Sequence, residues 1–342
     1  MAINHQVVLA ARPKGMPKES DFHLIESPIP ELGAGQALVR AIYLSIDPYM
    51  RGRISAAKSY AKGVEIGEVM VGGVVGEVVR SEDLRFDAGD IVEGMLGWQE
   101  YAAADASALR RVDPAVAPIS TALGVLGMPG ITAYFALLDV GRPKQGETVL
   151  ISSAAGAVGS AVGQIARIRG CRAVGLAGSE AKVAYVRDTL GFDDCLDYKT
   201  APDLPAAVAE ACPGGVDVYF DNVGGAVHDA AMANLNQGAR VVICGTISTY
   251  NRLEEPDLGP RHLRTILVNR ARLQGFLVFD YADRYDQARA ELAAWLGDGR
   301  LKHKEDVLDG LDAAPGALIR LLKGENLGKQ LVCIGPELKG QP

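Results

Sequence analysis

Cysteine and histidine are scarce in this sequence, which limits the metal chemistry that it can support. The five cysteines are scattered, form no CxxC pair, and none precedes Cys171. Before residue 122 the only histidines are His5 and His23. A catalytic zinc ion needs three protein ligands, and a structural one usually needs four cysteines. We therefore predict no metal. Scattered thiols also fit a reducing cytoplasm better than a disulfide framework.

The sequence also lacks long apolar stretches and strongly basic stretches. No apolar run approaches the ~20 residues that span a bilayer. The N-terminus shows no apolar region followed by a small-residue cleavage site, so we expect no signal peptide and no membrane association. The net charge is −7, and no basic patch is interleaved with aromatic residues. This argues against nucleic acid as a partner.

What is present indicates a globular chain of two domains. The 342 residues are 48% apolar and 23% charged, and one core rarely serves a chain of this length. Before about residue 120, short apolar runs alternate with Gly, Pro and Asp, which predicts a β-rich domain. After it, strands and helices alternate, which predicts an α/β domain with a parallel, doubly wound sheet. The strand-helix-strand pattern returns near residue 300, so we predict one domain from 1–122 with 301–342 and another from 123–300.

The stretch TVLISSAAGAVGSAVGQIARI, residues 148–168, carries a candidate nucleotide-binding turn. In the fingerprint G-x-G-x-x-G, glycines allow a tight turn and close approach of the backbone to a pyrophosphate. Residues 154–159 read AAGAVG, so only the first glycine is replaced. Small residues at such a turn could simply reflect tight packing. Because a strand precedes the turn and a helix follows it, we predict a dinucleotide site.

The end of the second strand of this domain favours NADP over NAD. An NAD site usually has an acidic residue about 20 residues after the turn, bonded to the ribose 2′-hydroxyl. Here Gly178 stands 22 residues after Gly156, and no acid lies at the strand end. Ser179 could donate to a 2′-phosphate, and Lys182 lies one turn into the next helix. Glu180 could repel that phosphate, and Lys182 could be an ordinary solvated lysine.

A series of motifs resembles one known family along nearly the whole chain. AAGAVGS, GSEAKVAYV, DYKT, DNVGG, CGTISTYN, GFLV and GENLGKQLV follow in that order, after SIDPYMRGR and GEVMVGGVVGEV. Together they resemble the prostaglandin reductase / leukotriene hydroxydehydrogenase group of zinc-independent medium-chain dehydrogenase/reductases, with its bacterial curcumin-reductase-like relatives. The resemblance implies a GroES-like catalytic domain split around a Rossmann domain, usually in a homodimer. It also implies NADPH-dependent reduction of a carbon–carbon double bond conjugated to a carbonyl.

The same motifs assign candidate site residues. The pyrophosphate would contact Gly156, Ala157, Val158 and Gly159, and the 2′-phosphate would contact Lys182 and Tyr198. The ribose and nicotinamide half would contact Asn222, Cys244, Gly245, Thr246, Ile247, Ser248, Thr249, Tyr250, Phe276, Leu277, Val278 and Asn326. The substrate-side candidates are Asp47, Tyr49, Met50 and Arg51. Tyr49 and Met50 could instead be core residues of the β-rich domain, and Arg51 could be a surface charge.

The expected mechanism needs stabilisation of an enolate oxygen without a metal ion. Backbone N–H groups, the ribose 2′-hydroxyl or Tyr250 could donate the hydrogen bond. Tyr250 could alternatively bind the ribose only, and we expect Cys244 to be a small buried residue rather than a nucleophile. Competing interpretations are a quinone reductase, oxidation of a secondary alcohol, and a non-catalytic NADPH-binding sensor. The loops at 54–63 and 249–260 could be mobile lids.

Overall fold

The computed structural model describes residues 3–57 and 60–337 and divides the chain into two compact units. The first unit comprises the residues up to Gly124, Asn251–Glu254, and the residues from Glu305 onward. The second comprises Val125–Tyr250 and Glu255–Lys304. Lys58 and Ser59, in the loop named above as a possible lid, lie outside the described residues.

The described residues form strands and helices throughout both units. The strands are β1 Ile3–Leu9, β2 Phe22–Pro28, β3 Gln36–Ser45, β4 Val74–Ser81, β5 Ile91–Gly94, β6 Tyr101–Asp105, β7 Arg110–Arg111, β8 Thr148–Ser152, β9 Arg172–Ala177, β10 Asp194–Asp197, β11 Val216–Asp221, β12 Leu235–Ile243, β13 Arg272–Gly275, β14 Glu305–Asp309 and β15 Lys329–Cys333. The α-helices are α1 Tyr49–Arg53, α2 Met128–Phe135, α3 Ala157–Ile168, α4 Glu180–Ala184, α5 Leu204–Ala211, α6 Gly225–Met232, α7 Leu263–Asn269, α8 Tyr285–Gly297 and α9 Ala314–Lys323. The π-helical turns Ala136–Gly141 and Tyr185–Thr189 continue α2 and α4. Short 3-10 helices lie at Glu19–Asp21, Ala106–Ala108, Ile119–Leu123, Ile247–Arg252, Val278–Arg284 and Leu311–Ala313.

The first unit is built on a seven-stranded sheet. Its strands follow the order β14-β15-β3-β4-β5-β7, with β6 also paired to β3, while β1 and β2 form a separate antiparallel pair. β3 is buried along most of its length because β15, β4 and β6 all pair with it. Met50 and Trp98 are fully buried in the core of this unit. The β-rich domain predicted from the sequence is thus present.

The second unit is a doubly wound parallel sheet. Its strand order is β10-β9-β8-β11-β12-β13, and every neighbouring pair is parallel. Relative to the chain this is the order 3-2-1-4-5-6 of a Rossmann fold, with the reversal between β8 and β11. β8 lies at the centre of the sheet, and all five of its residues are buried. The predicted fold class, a Rossmann domain together with a β-rich domain, is confirmed.

Helix α3 packs against the segment that precedes β10 through a glycine. In α3, a Cβ added at Gly163 would lie 1.9 Å from Cζ of Phe192. The helix can therefore approach the residues before β10 only because position 163 has no side chain.

Within the described residues, we find no helix that combines the length and the hydropathy needed to cross a bilayer.

Candidate active site

The predicted cofactor residues of the second unit collect at one edge of its sheet. Because all six strands are parallel, their carboxyl ends share an edge, which is where ligands bind in open α/β sheets. The residues that follow these ends are Gly156 after β8, Ser179 after β9, Tyr198 after β10, Asn222 after β11, Cys244 after β12 and Phe276 after β13. The remaining candidates, Asp47, Tyr49, Met50, Arg51 and Asn326, belong to the first unit.

The turn between β8 and α3 has the geometry of an anion site. Gly156 is the N-cap of α3 and offers no side chain to the first helical turn. The N–H groups of Ala157, Val158 and Gly159 lack the intrahelical carbonyl that later residues have. A Cβ at Gly159 would lie 2.3 Å from the carbonyl oxygen of Ser153, so only glycine fits there. These N–H groups, with the helix dipole, suit a pyrophosphate.

The replacement of the first fingerprint glycine by Ala154 is accommodated by a glycine in the next strand. Ala154 is fully buried, and its N–H donates to Leu176 O at 3.0 Å. A Cβ at Gly175 would lie 2.8 Å from the Ala154 Cβ. The methyl group at position 154 thus occupies space that a side chain at position 175 would need. The departure from the fingerprint therefore leaves the turn intact.

The ends of β9 and β10 form a small polar corner with no carboxylate at the strand end of β9. Tyr198 N donates to Ala177 O at 3.0 Å, and a Cβ at Gly178 would lie 3.0 Å from the Tyr198 hydroxyl. Burial, with the charge of Asp197, raises the pKa of Tyr198, so its hydroxyl is a neutral donor. Ser179 caps α4, its Oγ accepting from Lys182 N at 3.4 Å. These groups fit a phosphate on the ribose better than a bare 2′-hydroxyl.

Asn222 spans the point where the strand order reverses. Its Nδ2 donates to Ser152 O at 2.8 Å, and its backbone N donates to Ser152 Oγ at 2.8 Å. One side chain thus joins the end of β11 to the end of β8. In folds of this order the dinucleotide crosses the sheet at this switch point. The role predicted for Asn222, beside the ribose or nicotinamide, stays a prediction.

Next to Asn222 lies a buried carboxylate that the sequence pattern did not identify as functional. Asp221 is 1% exposed. Its Oδ1 accepts hydrogen bonds from the hydroxyls of Ser152 and Tyr219 and from two backbone N–H groups, and its Oδ2 lies 2.9 Å from His228 Nδ1. Burial alone would raise the pKa of Asp221, but the His228 bond and the other donors outweigh it and lower the pKa.

The loop after β12 is held by the end of β11. The backbone N–H groups of Cys244 and Gly245 both donate to Asp221 O, at 2.8 and 3.0 Å. A Cβ at Gly245 would lie 3.2 Å from Asn222 O and 3.6 Å from the Tyr250 hydroxyl. Within the loop, Thr249 donates from both its N and Oγ1 to Thr246 O, at 2.9 Å each. The Tyr250 hydroxyl is therefore close to the turn at Gly245.

Two further candidates of this edge are buried, and Cys244 carries a protonated thiol. Phe276 N donates to Ile243 O at 3.0 Å, and its ring lies 5.2 Å from that of Tyr281. Phe276 and Val278 are buried, and Leu277 between them is 38% exposed. Burial, with the charge of Asp221, raises the pKa of Cys244 to about 12. A thiol with this pKa is a poor nucleophile. Cys244 is partly exposed rather than buried, and its predicted role stays a prediction.

In the first unit, Asp47 and Met50 lie in a buried cluster. Lys329 Nζ donates to Asp47 Oδ1 at 2.9 Å and to Ile46 O at 2.7 Å, and Ser45 Oγ also bonds the Asp47 carboxylate. Asp47 is 5% exposed and Met50 is fully buried. Burial lowers the pKa of Lys329, and the Asp47 charge opposes this. Lys329, which sequence reasoning did not single out, thus fixes the loop that leads into α1.

Tyr49 and Arg51 lie in α1, and Asn326 lies shortly before β15. Burial raises the pKa of Tyr49, with the charge of Asp47 adding to the shift. The Arg51 guanidinium donates to Gly15 O at 2.9 Å and to Asn251 Oδ1 at 3.2 Å, and burial lowers its pKa. Asn326 Nδ2 donates to Gly328 O at 2.9 Å. Of the substrate-side candidates, Tyr49 is only partly buried, whereas Arg51 is 3% exposed.

Within the ranges 3–57 and 60–337, no three or more His, Cys, Asp and Glu side chains group together as metal ligands would. The predicted absence of a metal site stays a prediction.

Comparison with known proteins identifies relatives that match almost the whole chain. Residues 5–112 match the family "N-terminal domain of oxidoreductase", and residues 157–294 match "Zinc-binding dehydrogenase". The putative NADP-dependent oxidoreductase YfmJ of Bacillus subtilis is 50% identical over 97% of this chain and 98% of its own. The NADPH-dependent curcumin reductase of Escherichia coli is 45% identical over 96% of each chain. The 2-alkenal reductase (NADP(+)-dependent) of Nicotiana tabacum is 41% identical over 98% of each.

A solved structure agrees with these matches. CurA from Vibrio vulnificus, in complex with NADPH, superposes with a TM-score of 0.92 and is 46% identical, covering 97% of this chain and 100% of that one. The chain therefore belongs to the medium-chain dehydrogenase/reductases, in the group of prostaglandin reductase and the bacterial curcumin reductases.

Proposed function

We propose that the protein is a 2-alkenal/enone reductase, which uses NADPH to reduce the carbon–carbon double bond of α,β-unsaturated aldehydes and ketones. The observation that carries the proposal is the carboxyl edge of the Rossmann sheet. It combines an uncapped helix start at Gly156, a strand end at Gly178 without an acid, and Asn222 at the switch point. Relatives named as curcumin and 2-alkenal reductases match along the full chain.

The chain's own residues would hold and orient NADPH, which when bound supplies the hydride for the β carbon of the substrate. The N–H groups of residues 157–159 bind the pyrophosphate. Ser179, Lys182 and Tyr198 bind the 2′-phosphate. Asn222 and the loop of residues 244–250 orient the ribose and the nicotinamide. The reaction depends more on correct placement of the nicotinamide and the substrate than on a strong acid. Backbone N–H groups and small side chains are suited to such placement.

Hydride addition to the β carbon leaves negative charge on the carbonyl oxygen, and a hydrogen-bond donor must stabilise it. Tyr250 is the candidate, because its hydroxyl lies beside Gly245 at the turn that follows β12. The α carbon then takes a proton from water or from a tyrosine. A preorganised donor of this kind lowers the barrier because the charge develops only in the transition state.

The proposed activity is tested by NADPH absorbance at 340 nm, and in parallel by NADH absorbance. The acceptors are a short 2-alkenal, a 2-enone and a quinone, with a reaction lacking acceptor as the blank. We expect consumption with the enal and the enone, faster with NADPH than with NADH. Consumption with the quinone alone would identify a quinone reductase. Tight NADPH binding without turnover on any acceptor would contradict the enzyme and favour a sensor.

We further infer that the protein is a homodimer that pairs through the edge of the Rossmann sheet. Among the described strands, β13 pairs only with β12, and all four of its residues are exposed. The nearby helix α7 exposes Leu263 and Leu267 at 68% and 75%, and Phe279 beyond β13 is 61% exposed. An unpaired edge with apolar neighbours is a natural surface for a second copy of the chain.

We propose the cytoplasm as the compartment, because the cysteines of the chain are free thiols. All five cysteines are free, and three of them are buried. Burial, with smaller effects from neighbouring charges, raises the pKa of Cys171 and of Cys212 to about 11. Reduced thiols persist where glutathione and thioredoxin maintain them.

A further inference from the structure

Asp221 contacts both segments that the proposed function assigns to the nicotinamide half of NADPH: its buried carboxylate bonds the turn after β11, and its backbone carbonyl bonds the loop after β12. We propose that Asp221 is a positioning residue, which fixes the turn of residues 222–225 and, through it, the loop of residues 244–250. The inference rests on the proposed NADPH-dependent function and adds a residue that touches neither cofactor nor substrate.

The Asp221 carboxylate holds the turn that follows β11. Asp221 Oδ1 accepts from the N–H groups of Val223 and Gly224, both at 2.9 Å. Gly224 and Gly225 have φ of +71° and +57°, so the chain reverses through a conformation that other residues rarely adopt. Without the carboxylate, two backbone donors of this turn would lose their acceptor, which is costly in a buried position. The carboxylate therefore stabilises the tight turn that presents Asn222.

The turn of residues 222–225 is itself bonded to the loop of residues 244–250. Ser248 donates to Val223 O from its N at 3.0 Å and from its Oγ at 2.6 Å, and Ile247 N donates to Asn222 O at 3.3 Å. The carbonyl of Asp221 accepts from the N–H groups of Cys244 and Gly245. The loop that carries Tyr250 is thus attached to the backbone of the turn, and the Asp221 carboxylate acts on that loop through the turn.

The negative charge of the Asp221 carboxylate also strengthens its bonds to the turn. The Asp221 carboxylate is kept ionised by His228 from α6 and by the Tyr219 hydroxyl from β11. The His262 ring, at the start of α7, lies 5.7 Å from the His228 ring, and its Nε2 lies 2.7 Å from Asp229 Oδ1. An ionised acceptor makes stronger hydrogen bonds than a neutral one. A neutral amide at position 221 would therefore hold the turn less firmly.

The corner formed by Gly178, Ser179 and Tyr198 has no hydrogen bond to Asp221 among those found in the described residues. It lies at the ends of β9 and β10, whereas the Asp221 contacts involve β8, β11 and β12. Loss of Asp221 should therefore weaken the nicotinamide half of the site and spare the 2′-phosphate half. A variant that only destabilised the fold would weaken both halves of the site. Selective loss of the nicotinamide half therefore identifies a positioning role.

The test compares D221N with wild type in binding and turnover. The probes are NADPH and adenosine 2′,5′-bisphosphate, which carries only the 2′-phosphate half of the cofactor. D217N is the matched control. Asp217 lies on the same strand at the opposite edge of the sheet, and it accepts from Thr148 N and Asn236 Nδ2, both at 2.8 Å. Binding is measured by titration calorimetry, turnover with a 2-alkenal at saturating NADPH, and folding by thermal melting.

For D221N we expect kcat to fall about tenfold or more, because small misplacement of reacting groups costs one to two orders of magnitude. The Kd of adenosine 2′,5′-bisphosphate should change less than twofold, and D217N should keep wild-type kcat. Unchanged kcat in D221N, or equal weakening of both probes, would overturn the inference. If D221N does not fold, Y219F removes one donor at 2.8 Å. It should lower kcat in the same selective way, and an unchanged kcat would again overturn the inference. Absence of NADPH binding and turnover in wild type would instead contradict the proposed function.

Discussion

Among single residues, Tyr250 bears most directly on the chemistry. The Y250F variant removes one hydroxyl that lies beside Gly245 and leaves the ring in place. If the hydroxyl donates to the developing enolate oxygen, kcat should fall by about 10²-fold, while the KM for NADPH changes little. Steady-state kinetics with a 2-alkenal measure both constants. Unchanged kcat would exclude this role, and a raised KM for NADPH alone would assign Tyr250 to the ribose.

Lys182 offers a test of cofactor choice at the scale of one side chain. K182A removes a positive charge from the corner where β9 and β10 end. Because hydrogen bonds to charged groups contribute about 1.5–3 kcal/mol, the KM for NADPH should rise by one to two orders of magnitude. The KM for NADH, which lacks the 2′-phosphate, should stay within about twofold.

The matched control for K182A is R187A, which removes the same charge from the same helical segment. Arg187 is exposed and pairs with its neighbour Asp188 at 2.9 Å. R187A should leave the preference for NADPH unchanged. An equal loss of preference in both variants would indicate a general electrostatic effect rather than a phosphate contact.

At the scale of elements, the turn between β8 and α3 leaves no room for a side chain at position 159. In G159A the new Cβ would lie 2.3 Å from Ser153 O, so the turn or the helix must shift. We expect the Kd for NADPH to rise about tenfold or more, together with about 1–3 kcal/mol of destabilisation from overpacking. The control is G214A, where a Cβ would meet nothing within 4 Å. NADPH binding close to wild type in G159A would contradict the phosphate role of this turn.

The buried network at the end of β11 gives the stability of the Rossmann unit a defined pH dependence. Because the pKa of Asp221 is lowered by folding, its charged form stabilises the folded state above the unfolded pKa of about 4. This contribution is lost as pH falls through the lower folded-state pKa. The difference in melting temperature between wild type and D221N should therefore be constant near neutral pH and shrink below about pH 4. A difference independent of pH would show that the charge of Asp221 is not involved.

How far the sequence predicts the elements depends on how each one is buried. The strands β8 and β9 were identified because each is an apolar run of the central sheet with turn residues after it. β2 and β13 cannot be recognised in this way, because most of their residues are exposed and their sequences show no pattern of burial. The glycines of the phosphate turn were likewise visible, since they are adjacent in sequence. Asp47 and Lys329 stand 282 residues apart, so their ion pair depends on the folded β-rich domain.

The whole molecule adds a prediction about assembly. L267K places a charge in the apolar segment beside the unpaired edge of β13, where Leu267 is 75% exposed. If two copies pair there, the charge must be desolvated, so the dimer should dissociate. Size-exclusion chromatography with light scattering measures the mass of each variant. L84K is the control, because Leu84 is fully exposed in the other unit. A dimeric L267K would place the interface elsewhere.

The thiols of the second unit have a consequence for an enzyme that handles enals and enones. Such compounds are electrophiles that alkylate cysteine thiolates by conjugate addition. Burial raises the pKa of Cys195 and of Cys244 to about 12. The thiolate, which is the form that adds to such electrophiles, is therefore less populated at these positions than in a free cysteine. The fold therefore protects these sulfur atoms from the reactive compounds that its active site is proposed to remove.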